Sequence, residues 1–158
     1  MTTNQTAPRS PAQTKTGRFL KYAAFCYAVG MIVHGSDHLL RGLTGDDRQA
    51  SWPGAVQIVM AALTVGVSAL AIAVALSDCR HAAVASMIIG FGSAAVFLAI
   101  HVLPSWASFT DSFVSAEAGA RVSDYSWITA SFGISAAFVL GLAGADSFLV
   151  ARSRRSRC

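Results

Sequence analysis

The chain has 158 residues, of which 54% are hydrophobic and 13% charged, about half the charged share of an ordinary soluble domain. Its formal charge is +4 and its mean hydropathy +0.52. These values exclude a disordered chain, a coiled coil, a disulfide scaffold and a water-soluble enzyme, and they leave an integral membrane protein as the expected class.

Residues 1–17 are rich in Thr, Gln, Pro and Ser and contain no acidic residue, so they read as a loose basic tail. Residues 18–151 read as one transmembrane domain with four apolar blocks, at about 19–40, 55–77, 82–103 and 126–151. Each is roughly 33–39 Å long as a helix, enough to cross a hydrocarbon core of about 30 Å. Backbone groups find no water in lipid, so blocks of this length must be helical. The short alternating segments of a β-barrel do not occur. Residues 152–158 form a second basic tail. The expected fold is an all-α, four-helix transmembrane bundle.

Counting basic residues gives the expected orientation. The two tails and the turn at Arg80 carry nine Lys and Arg, while the other two loops carry Arg41, Arg48 and Arg121. That imbalance places both termini in the cytoplasm. Trp52, Trp106 and Trp127 all fall at the opposite face, where an aromatic belt belongs. The first span has the basic flank of a signal peptide, but no A-x-A cleavage site follows it, so it reads as a retained helix. The terminal arginines have no interleaved aromatic residues, so they read as a topology signal facing the lipid bilayer and not as a nucleic-acid site. In the outer loop, Trp106, Phe109, Phe113 and Val114 recur at helical spacing. They fit a short amphipathic segment on the outer leaflet, or a lid packed on the bundle.

Small residues recur every four positions: Gly133, Ala137, Gly141 and Ala145 in the fourth span, Ser86, Gly90 and Ala94 in the third, Ala62 and Gly66 in the second. Such stripes allow close approach of helices within a bundle, or between copies in a homo-oligomer or larger membrane complex. Asp146 near the end of the fourth span is expected to pair with Lys21. Cys26, Cys79 and Cys158 are too scattered for a framework and read as free thiols.

The polar cluster is in the first span. His34, Asp37, His38 and Arg41 share one helical face with Tyr27 and Gly30, and His101 lies near the same end of the third span. Ionisable groups at this depth are costly unless they face inward and find partners. Two histidines one turn apart with a third from another helix make a three-nitrogen metal set, with Asp37 as a further ligand or as an orienting partner. A histidine pair on facing helices can also ligate a haem, and histidine beside a carboxylate can handle protons. The fourth alternative is a hydrogen-bonded network that fixes helix register.

No nucleophile elbow, phosphate-binding Gly loop, dinucleotide fingerprint or zincin helix is present, which points away from an enzyme. The run from His101 to Phe113, taken with His34-Gly-Ser-Asp-His38, resembles small four-span membrane proteins of high-GC Gram-positive bacteria that have no assigned function. The resemblance covers the first three spans and the outer loop, and it implies a bacterial inner membrane. The expectation is therefore an accessory, scaffold or assembly subunit. The alternative is a metal- or haem-binding redox or transport protein built on His34, His38 and His101.

Overall fold

The computed structural model describes residues 11–44, 54–77, 81–107, 110–115 and 122–155. Among them are four long helices and no strand: α1 (Pro11–Thr44), α2 (Gly54–Leu76), α3 (Ala82–Phe97) and α4 (Asp124–Arg155). A π-helical turn, Leu98–Val102, continues α3. α1 begins at Pro11, inside the stretch expected to be a loose tail, and α4 runs on to Arg155. Val and Ile recur throughout α2 and would favour strand in water. Except at its ends, a helix bonds its backbone groups internally, which apolar surroundings demand.

Three segments are long and apolar enough to cross a membrane: Ile58–Leu76, Ala82–Val102 and Asp124–Ser153, with mean hydropathies of 2.5, 2.2 and 1.8. α1 is as long, with 34 residues. Its apolar run is interrupted by His34, Asp37 and His38, so the residues of interest are themselves what lower its hydropathy.

The burial pattern is the inverse of a water-soluble fold. Ile32, Ile58, Val65, Ile88 and Ile128 are each at least 65% exposed. The interior is made largely of small or polar residues, among them Ala23, Ala24, Ala71, Ala137, Ala143 and Ser86, with Tyr27 and Leu140 the largest of its completely buried side chains. α3 packs most extensively on α4, then α1 on α4, while α2 is the least engaged. The first pairing rests on absent side chains. A Cβ at Gly90 would press into Gly141 N and stand 2.7 Å from Ala137 O, and one at Gly144 would stand 2.6 Å from Met87 N. At these two positions only glycine lets the backbones approach. On α1, a Cβ at Gly30 would meet Ala136 Cβ at 3.1 Å.

Two expectations fail in detail, and a third resolves to its alternative. Ala62 and Gly66 are exposed and line an open apolar groove with Val59, Leu63, Val67 and Leu70, so the α2 stripe packs on no other helix among the described residues. α2 packs instead through Ala71 and Ala75. Asp146 and Lys21 are both exposed and no ion pair joins them. The loop after α3 has no helix among its described residues, so the amphipathic segment is not formed there; Phe109 lies outside them. Pro104 explains the stop, since it drives Leu103 into an extended conformation at ψ 150°. Residues Thr110 to Phe113 then turn back and are buried against the bundle, while Trp106 and Val114 stay exposed. The loop is a plug, as the lid alternative anticipated.

Candidate metal centre

α1 supplies His34 and His38 from consecutive turns of one face, and the π-helical turn supplies His101. Leu103 N–H reaches back to Leu98 O at 3.1 Å, which closes the wider turn and resets the angle at which His101 projects. Gly133 of α4 sits against His34 Cβ and the Phe97 ring, leaving room for both. His34 and His101 are buried at 4% and 3% exposure.

The three imidazoles converge. His34 Nε2 lies 3.1 Å from His101 Nε2 and 3.1 Å from His38 Nε2. One nitrogen from each ring falls within 4.8 Å of the others. In a tetrahedral centre with metal–nitrogen bonds of about 2.0–2.1 Å, ligand nitrogens stand roughly 3.3 Å apart. Two edges of the triangle already match.

A layer of charged and polar groups surrounds the trio. Arg41 Nε donates to Asp37 Oδ2 at 2.9 Å, and both Arg41 Nη atoms donate to the Asp111 carboxylate. Ser126 Oγ donates to Asp37 Oδ1 at 2.6 Å. Ser126 is placed by the start of α4: Ser123 caps the helix by accepting from Ser126 N–H at 3.2 Å. The Asp37 carboxylate therefore also faces the positive end of α4. The plug is tied down by Phe113 N–H donating to His101 O at 2.8 Å and by Ser112 Oγ donating to Leu103 O. Phe113 lies beside His101 and under the Arg41 guanidinium, with centroid distances of 4.9 and 5.4 Å.

Hydrogen-bond bookkeeping restricts the tautomers. His101 Nδ1 faces the Asp111 backbone carbonyl at 3.2 Å, a pure acceptor, so Nδ1 carries the proton and Nε2 a lone pair. His38 Nδ1 faces Arg41 Nη2 at 3.3 Å, a pure donor, so the neutral ring has its proton on Nε2. His34 Nε2 would then have to accept from His38 and donate to His101 with a single nitrogen. It cannot do both. His34 Nδ1 is buried without a hydrogen-bond partner, so the tautomer that bares Nε2 leaves an N–H without an acceptor, a cost that a bond from Nε2 has to offset.

His34, His38 and His101 come together as expected, in one layer with Asp37 and Arg41. Asp37 meets Arg41 and Ser126, however, and not an imidazole. Asp111 and Ser126 were not anticipated. The one available signal for Asp111 is charge: Arg41 carries a buried cation toward a loop whose acidic residues include Asp111. Compared with models of known families, with curated proteins and with solved structures, the chain matches none.

Proposed function

We propose that the chain is a small four-span membrane protein, both termini cytoplasmic, which holds a transition-metal ion at His34, His38 and His101 near the outer face of a bacterial inner membrane. The observation that carries the reading is the convergence of three Nε2 atoms in a buried layer where the neutral rings cannot satisfy one another. A cation takes three lone pairs at once and removes the conflict. His101 is already in the ligand tautomer, held by the Asp111 carbonyl in the way that outer partners hold metal-bound histidines. For His38 to ligate through Nε2, its proton must sit on Nδ1; the Asp111 carboxylate stands 4.0 Å from that atom and would have to close in to accept it as Arg41 Nη2 withdraws. Imidazole donors suit zinc, copper, iron or nickel. A haem fits less well. Its axial histidines approach from opposite faces of a macrocycle, whereas these rings meet edge to edge and are flanked directly by Phe97 and Phe113.

A second reading, the accessory or scaffold subunit, is favoured by the hydrogen bond from Arg41 to His38 Nδ1, which stabilises the tautomer that does not ligate. In it the cluster is a polar cross-link between α1, α3, α4 and the plug. Metal analysis of protein purified in mild detergent separates the two. Near-stoichiometric metal in the native chain, lost in His34→Ala and His101→Ala, supports the metal centre. A metal-free chain that also fails to take up added ions leaves the scaffold.

A further inference from the structure

We infer that the plug is a clasp fastened by the metal: an ion on His101 tightens the docking of residues 110–113, and their docking presents His101 as a ligand. The inference rests on the reading of the three histidines as a metal centre and adds the regulation of that site. It begins with the way the third span ends. Pro104 has no N–H and Leu103 is extended, so the last carbonyls of the π-helical turn find no donor in a following turn. The returning chain supplies donors instead. Phe113 N–H bonds His101 O at 2.8 Å, and Ser112 Oγ bonds Leu103 O at 2.6 Å.

His101 is thus gripped twice by one short segment. Its backbone carbonyl accepts from Phe113, and its Nδ1–H donates to the Asp111 carbonyl at 3.2 Å. The Phe113 ring lies against the imidazole, with centroids 4.9 Å apart. The second grip leaves Nε2 bare for a metal. A cation on Nε2 draws electron density through the ring and makes Nδ1–H a stronger donor, while the acceptor makes Nε2 a better ligand. The two effects are one coupling free energy, so the ion returns to the plug what the plug gives the ion. Thr110, Asp111, Ser112 and Phe113 are no more than 3% exposed, so the segment has to lift for its amides to meet water.

The test is amide hydrogen exchange on the full chain in detergent, metal-free and loaded with Zn2+, or with Cu2+ where zinc does not bind. Exchange at residues 111–113 is expected to slow about tenfold on loading. It should slow by more than at residues 71–75 of α2, which lie outside both the trio and the plug, so that a general gain in stability is told apart. Ser112→Ala removes one donor of the plug and neither a ligand nor a charge. It should quicken plug exchange about fivefold in the metal-free chain, and the bound ion should slow it again. Plug exchange that a bound ion leaves unaltered, or slows no more than in α2, would overturn the inference and leave the metal centre standing. A chain that takes up neither Zn2+ nor Cu2+ would overturn the centre itself.

Discussion

At the scale of single residues, Arg41 holds the polar layer together. Three of its N–H donors bridge a carboxylate one turn back on its own helix and another from the plug, in a fork that a lysine cannot reproduce. Arg41→Ala leaves two buried carboxylates without their cation, and a broken buried pair costs about 3–5 kcal/mol. Thermal unfolding in detergent should show that loss, and a melting temperature equal to that of the wild type would remove Arg41 from this role. Asp37→Asn should cost less, because Ser126 can still donate to the amide oxygen. His34, Asp37, His38, Arg41 and His101 were legible in the sequence because helical periodicity puts the first four on one face and depth matches the fifth. Asp111 and Ser126 were not. A loop has no period, so the approach of Asp111 depends on the path the chain takes after Pro104. Ser126 is brought in by a helix start that spacing fixes only to within a turn.

At the scale of elements, identical small-residue patterns have different fates. The α3 and α4 stripes interlock at Gly90 and Gly144, while the α2 stripe at Ala62 and Gly66 faces outward. Spacing reveals that a helix can be approached closely and is silent on which neighbour takes up the offer. The contrast is measurable. Gly90→Ala forces a methyl group onto the α4 backbone, where overpacking typically costs about 1–3 kcal/mol, and should lower the melting temperature. Gly66→Ala meets nothing within 4 Å and should leave it unchanged. Equal effects of the two would contradict the packing order. The π-helical turn was illegible for a related reason: it follows from how His101, Phe97 and the plug pack together, and no residue type announces it.

At the scale of the whole molecule, the second, third and fourth apolar blocks match helices to within a few residues, whereas α1 begins at Pro11, well before the first block; a long apolar stretch has no backbone solution in lipid except a helix. The proposed orientation predicts that a reporter fused after Arg157 is active only in the cytoplasm, and that a tag inserted at Asp46 is reached from outside. A cytoplasmic Asp46 tag would turn the bundle over and place the histidine layer at the inner face. The apolar exterior and the polar layer serve one account: small residues draw α3 and α4 together, the plug packs on one end, and three imidazoles converge where the proposed cation would sit. The measurement that tests this most directly is X-ray absorption on the metal-loaded chain in detergent. The account predicts a first shell of three nitrogens at about 2.0 Å with the outer scattering of three imidazole rings, reduced to two rings in His101→Leu. A shell of oxygen donors, or one that His101→Leu leaves unaltered, would contradict it.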